Sequence, residues 1–204
     1  MNEGRPNIVP LHVLSSEGEP GRGLEQGNDE QLMALTAGGN KAAFAVLVKR
    51  HLPRVTTFCL RFVGAMSAAQ ELAQEIFLEV WLRRGRYVSQ GKFAVFLFVM
   101  ARTRCLNRMR DEGRRGRREQ GIKEDGPAAP SQLDVLLDKE RQRQVQTALM
   151  GLSVKLREAV LLRFDQGLDY RDVALILGCT ESTTRSRVRL AMLALRDAIA
   201  GVEP

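Results

Sequence analysis

The most constraining stretch of this sequence is "DYRDVALILGCTESTTRSRVRLAMLALR", residues 169–196, where two apolar periods of helical spacing meet across one tight turn. Asp169 is placed to cap "YRDVALIL", Gly178 to end it, and Thr180 to cap the next helix. Two helices of this length joined so closely spell a helix-turn-helix. Val173, Leu177 and Cys179 lie where the pair must pack, and the inward face continues as Thr184, Val188, Ala191 and Leu195. Ser182, Arg185, Ser186 and Arg189 then share the outward face. Ser and Thr are mediocre helix formers, so stability alone does not select them here. Arg can hold guanine through two hydrogen bonds, Ser or Thr can bond bases or phosphates, and a helix N-terminus favours phosphate. The pattern is that of a helix reading the major groove with its N-terminal half.

The rest of the chain is also helical in its spacing. Asn40 can cap "KAAFAVLVKRHLPRVTTFCLRFV", with Pro53 expected to kink or split it and Gly64 to stop it. Ser67 followed by Gln70 is read as a capping-box start for "AAQELAQEIFLEVWLRRG". In that helix Leu72, Ala73, Ile76, Phe77, Val80 and Trp81 form the inward face, and Glu71, Gln74, Glu75 and Glu79 an acidic ridge opposite. "RRGRYVSQGK" reads as a loop, and "FAVFLFVMARTRCLNRMRDEG" as a helix that begins apolar and ends basic. "GRRGRREQGIKEDGPAAPSQ" has Gly, Pro and mixed charge without periodicity, so it reads as a linker. A second block begins near Leu133 or Lys139, with Ser153 expected to cap "VKLREAVLLRFDQG". The expected fold is all-α: two small helical domains, residues 30–112 and 139–200, joined by a flexible linker at 113–138. The Gly- and Pro-containing residues 1–29 are expected to be a flexible tail.

Charge is unevenly placed. The net charge is +7, but between Arg83 and Arg118 twelve basic residues face two acids, Asp111 and Glu112. A basic block of that density is the footprint of a polyanionic partner. An acidic ridge in the same chain points to a second, basic partner. Other chemistry finds little to stand on. Cys59, Cys105 and Cys179 are far apart and odd in number, which suits a reducing cytoplasm rather than a disulfide framework. His12 and His51 are the two histidines, and there is no Cys-x-x-Cys, so no metal site is expected. No phosphate loop, nucleophile elbow or His-centred catalytic set occurs, so neither catalytic residues nor a cofactor is expected. No apolar run approaches the roughly 18 residues a membrane span needs, and the start lacks the pattern of a signal peptide.

In order and spacing, the two blocks resemble the extracytoplasmic-function group of bacterial sigma factors, small two-domain initiation factors of RNA polymerase. The resemblance rests on "GNKAAFAVLVKRH", "AAQELAQEIFLEVW", "FLFVMARTRCLNRMR" and the helix-turn-helix stretch, across about residues 30–112 and 139–198. It implies that Glu71, Gln74 and Glu75, with Leu72 and Phe77 near them, dock on the clamp coiled coil of the polymerase beta-prime subunit. It implies that Arg84, Arg86, Tyr87, Lys92, Phe93, Phe96, Arg102, Arg104, Arg108 and Arg110 serve the −10 element. There Tyr87, Phe93 and Phe96 are possible base-stacking groups, and the cations are phosphate contacts. Ser182, Thr183, Arg185, Ser186, Arg187 and Arg189 would read the −35 element. The linker would thread through polymerase near the RNA path, the beta subunit would be a partner alongside beta-prime, and an anti-sigma protein would mask the chain's surfaces. Thr103 and Asn107 stand where the family usually has Asn and Asp, Phe96 where it often has Trp, and Thr184 where it usually has Val.

The reading is therefore a cytoplasmic alternative sigma factor that binds core polymerase and promoter DNA and catalyses nothing itself. A helix-turn-helix regulator that binds palindromic DNA as free protein is the main rival. It leaves the acidic ridge and the Trp81–Arg110 segment unexplained. A basic arm that binds nucleic acid without sequence preference is the third reading, and it predicts a steep fall of affinity with salt.

Overall fold

The structure, a computed structural model, describes residues 23–87, 92–115 and 133–200, and among them every regular element is helical. A short 3-10 turn at Leu24–Gln26 precedes α1 (Asp29–Ala37), α2 (Lys41–Val63) and α3 (Met66–Arg83). A second 3-10 turn (Arg84–Arg86) leads toward α4 (Phe93–Arg115). The C-terminal unit comprises α5 (Leu133–Gly151), α6 (Val154–Val160), a π turn (Leu161–Asp165), α7 (Tyr170–Leu177) and α8 (Glu181–Ala200).

Most of these boundaries follow from local chemistry. The Asn40 side chain accepts the Ala43 N–H at 2.9 Å, and that of Asp169 accepts the Asp172 N–H at 2.8 Å, each satisfying a donor that the helix cannot. Gly64 and Gly178 end α2 and α7 in the left-handed region, at φ 89° and 64°, where a side chain would be strained. Three expectations need correction. Helix α3 starts at Met66 with Ala65 as its cap, so Ser67 lies inside the first turn and builds no capping box. Gly64 already turns the chain, and extended Ala65 enters α3 directly. Ser153 does occupy the cap position of α6, but its hydroxyl makes no capping hydrogen bond. Pro53 does not split α2, which runs unbroken from Lys41 to Val63. It is exposed, so the Lys49 carbonyl it leaves without an amide faces water, while Leu47, His51, Val55, Phe58, Cys59 and Phe62 remain buried along the other face.

Residues 1–22 lie outside the described residues, as do 88–91 and 116–132, so the expected linker falls there in large part. The remainder of the expected tail is folded. Leu24 is buried, Arg50 donates to the carbonyls of Glu25 and Gly27, and Lys49 pairs with Glu25 at 3.0 Å. Helix α1 then opens with a capping box: Asn28 accepts from the Gln31 N–H, and Gln31 accepts from that of Asn28.

Phe58, Phe62, Phe93 and Phe98 centre the N-terminal core, with Phe58 and Phe98 edge-to-face at 5.4 Å. Val160, Leu161, Leu162, Val173, Ile176, Leu177, Val188 and Ala191 fill the C-terminal one. The two units are packed together rather than held apart. Helix α4 lies against α7, and α2 lies against α5 and the π turn. Arg157, 4% exposed, donates to the carbonyls of Leu149, Met150 and Leu152 in its own unit and of Phe62 in the other. Four carbonyls around one guanidinium compensate part of its burial, which pulls its pKa down. Arg54 donates to the Gln166 carbonyl and Arg61 pairs with Asp165 along the same seam.

Candidate nucleic-acid and polymerase interfaces

Helix α8 is anchored by its first turn. The Thr180 hydroxyl accepts the Thr183 N–H at 3.2 Å. Buried Thr184 donates back to the Thr180 carbonyl at 3.1 Å, so its hydroxyl is satisfied within its own helix. Thr184, Val188 and Ala191 face inward, leaving Ser182, Thr183, Arg185, Ser186 and Arg189 exposed together. Arg185 lies over the Tyr170 ring at 4.2 Å and 3.6 Å from Glu181, so its guanidinium is held across the outward face. Arg187 departs from this group. It is half-buried and leans toward Glu158 of α6, 3.9 Å away, so it stands at the edge of the face.

On α3 the residues split differently from the expectation. Glu71, Gln74 and Glu75 are exposed, whereas Leu72 and Phe77 are buried at 3% and 5% exposure and belong to the core. A docking surface cannot use side chains already covered by α2 and α4. Beside the ridge the exposed apolar residues are instead Leu78 and Leu82, at 58% and 69%, which continue the four-residue steps from Gln74, while exposed Met66 lies at the far, N-terminal end of the helix. That spacing was available in the sequence.

The −10 candidates are also sorted. Phe93 is 1% exposed and packs edge-on against His51 at 5.2 Å, so it is a core residue and cannot stack a base. Tyr87 and Phe96 are half-buried and meet edge-to-face at 5.1 Å. Burial and a hydrogen bond to Glu30 push the Tyr87 hydroxyl well above the ordinary tyrosine range, so it stays a donor. Arg84 stacks on Trp81 at 4.2 Å, and Arg86 is exposed. Arg104 pairs with Glu79 at 2.7 Å and Glu75 at 3.5 Å, and Arg108 with Glu71 at 3.2 Å. Thus the basic edge of α4 lies along the acidic ridge of α3, and part of each charge set neutralises the other. Arg110 donates to Asn107, and Thr103 back-bonds to the Val99 carbonyl, so both unusual side chains are engaged within α4.

Two further cations reach across to the C-terminal unit. Lys92 contacts Asp172 at 2.7 Å and Asp169 at 3.0 Å, and Arg102 donates to Glu158 at 2.7 Å. Glu158 is 2% exposed. No sequence pattern marks these pairs, because their members are 56 to 80 positions apart.

Residues 47–115 match the family described as Sigma-70 region 2, and residues 142–195 match Sigma-70, region 4. The ECF RNA polymerase sigma factor SigK of Mycobacterium tuberculosis is 30% identical over 173 residues, covering 83% of this chain and 92% of that one. The chain belongs to the ECF family of RNA polymerase sigma factors. The RNA polymerase sigma-H factor of Pseudomonas aeruginosa is 29% identical to this sigma factor over 185 residues, covering 86% and 96%. Among solved structures, the sigma factor RpoE in complex with the anti-sigma factor NepR from Bartonella quintana superposes with a TM-score of 0.64. It is 25% identical and covers 78% of this chain and 98% of that one. CnrH, solved with the cytosolic domain of CnrY, shares the fold at a TM-score of 0.66 and 23% identity, covering 86% and 99%. As a member of this family, the chain directs promoter-specific transcription initiation. The first match begins at residue 47, so α1 of this sigma factor lies outside it. Among the described residues, no helix is long and apolar enough to cross a membrane, and no cluster of three metal-ligating side chains occurs.

Proposed function

We propose that this sigma factor divides its work among three surfaces. The exposed face of α3, made by Glu71, Gln74, Glu75, Leu78 and Leu82, docks on a basic, partly apolar clamp helix of core RNA polymerase. Ser182, Thr183, Arg185, Ser186 and Arg189 on α8 read −35 DNA, with Arg187 at their edge. Tyr87 and Phe96, with Arg84, Arg86, Lys92, Arg102, Arg104, Arg108 and Arg110, serve the −10 element. The observation that carries this reading is the coexistence, on separate helices of one chain, of an exposed acidic–apolar face and an exposed hydroxyl–arginine face. One suits a protein partner and the other DNA.

Lys92 and Arg102 reach phosphate only after leaving Asp169, Asp172 and Glu158. The packed arrangement is therefore a resting form, and binding to polymerase exchanges these ion pairs for contacts to DNA. An anti-sigma protein that holds the resting form fits the same logic, and the similar factor RpoE is seen with such a partner. The chain acts in the cytoplasm and carries out no bond chemistry, the polymerase supplying the active site and its magnesium. Copurification with sigma-free core polymerase tests the α3 surface. Glu75→Arg abolishes binding if α3 meets a basic partner, whereas undiminished copurification would remove this face from the mechanism.

A further inference from the structure

Helix α1 places one carboxylate between two parts of the proposed −10 apparatus. The two oxygens of Glu30 accept different donors: Oε2 takes the Tyr87 hydroxyl, and Oε1 takes the backbone N–H of Phe93 at the start of α4. That N–H is one of the four that a helix N-terminus cannot satisfy internally, and a carboxylate there also suits the helix dipole. One side chain thus fixes Tyr87 to the first turn of α4 across six positions of sequence. Phe96, one turn further along α4, packs on the same Tyr87 ring.

The carboxylate is itself held in place. Leu32 and Met33 of α1 are fully buried in the core. Asp29 bonds Arg50 at 2.9 Å and His51 at 2.6 Å on α2, and the Asn28–Gln31 capping box fixes the turn that presents Glu30. His51 in turn meets the Phe93 ring, so the same cluster braces α4 from its other side.

We infer that Glu30 is a positioning residue for promoter opening: it orients Tyr87 against Phe96 so that the pair can receive an unstacked −10 base. The inference deepens the functional reading above and rests on it. It gives α1, which lies outside the family match, a part in that site.

The test uses holoenzyme assembled from core polymerase and full-length variants, on a promoter recovered by genomic run-off transcription and carrying 2-aminopurine in its −10 element. Glu30→Ala is expected to slow the fluorescence rise of opening about tenfold while leaving core affinity within about twofold. Glu30→Gln keeps one good acceptor and is expected to slow opening about threefold. Tyr87→Phe should do the same, and the Glu30→Gln/Tyr87→Phe double variant should be no slower than the slower single, because both remove the same bond. The tyrosine Raman doublet, recorded in a Tyr170→Phe background, supplies a readout on free protein: Glu30→Ala should shift it away from the pattern of a hydroxyl that donates to a carboxylate. Wild-type opening rates in folded Glu30→Ala and Glu30→Gln holoenzymes would overturn the inference. So would additive effects in the double variant. A wild-type holoenzyme that opens no promoter would overturn the functional reading and this role with it. An unchanged Tyr87 doublet would overturn the positioning itself.

Discussion

Arg185 shows how much of the proposed −35 recognition depends on where a side chain is held. Its guanidinium lies over Tyr170 and near Glu181, so little rotamer freedom remains to be lost on meeting a base edge. Arg185→Ala is expected to cost about 1–3 kcal/mol of discrimination between matched and substituted −35 elements, with core binding unchanged. Titration of holoenzyme against both duplexes checks this, and equal losses on the two would mean that Arg185 touches only phosphate. On α3, exposure separates side chains that the sequence lets one confuse. Leu78→Ser removes a side chain that the account buries against polymerase, so core affinity should fall by about 1.5–3 kcal/mol while the melting temperature barely moves. Leu72→Ala should do the opposite, destabilising the fold by about 2–5 kcal/mol through the cavity it leaves. Thermal melting and core-binding titration on both variants test the assignment. Helical spacing alone already sets Leu72 and Phe77 on the inward face, and only the family resemblance moves them to the docking surface. Which edge is covered depends on where α2 and α4 lie.

At the scale of elements, caps were the most legible signals. Asn40, Asp169 and Thr180 each bond the amide expected of a cap, because the interaction spans only three residues. Ser67 failed because a capping-box spacing also occurs inside a helix, and here a glycine turn starts the helix earlier. Asn28 and Gln31 announce helix α1 ahead of Leu32 and Met33, but the Gly- and Pro-containing residues before it mask the signal. Its attachment to α2 gives it a pH dependence. Burial raises the Asp29 pKa, but the hydrogen bonds and charges of His51 and Arg50 outweigh it and hold the carboxyl below its ordinary value. A lowered folded pKa favours the charged form. Its stabilisation is therefore complete above the ordinary aspartate value and is lost as pH falls through the folded one. Asp165 runs the other way: burial raises its pKa, Arg61 only partly offsets that, and its effect blunts any whole-protein acid curve. The measurement must therefore be local. Hydrogen exchange at α1 amides should accelerate below about pH 4 relative to the α3 core. In Asp29→Asn α1 should already exchange fast at neutral pH.

At the scale of the molecule, the packing of the two units includes pairs that no local pattern reveals. Lys92, with Asp169 and Asp172, lies near the surface, so salt should screen that contact; Arg102 with buried Glu158 is screened much less. The expectation of two helical units was right in content, yet the sequence offers no periodicity from which their mutual packing could be read. Combining Asp169→Asn with Asp172→Asn should enlarge the radius of gyration measured by X-ray scattering. It should also raise the affinity of free protein for single-stranded −10 DNA severalfold. An unchanged radius with unchanged affinity would mean that these pairs do not hold the units together.

Membership in the family makes this sigma factor a polymerase subunit that works through two DNA-contacting units. The most direct measurement is run-off transcription with purified protein, sigma-free core polymerase and a fragmented genomic library, followed by sequencing of the transcripts. Discrete starts preceded by paired −35 and −10 elements are expected with wild-type protein and should be lost with Glu75→Arg. Absence of core binding and of starts, together with tight binding of free protein to a palindromic site, would contradict it.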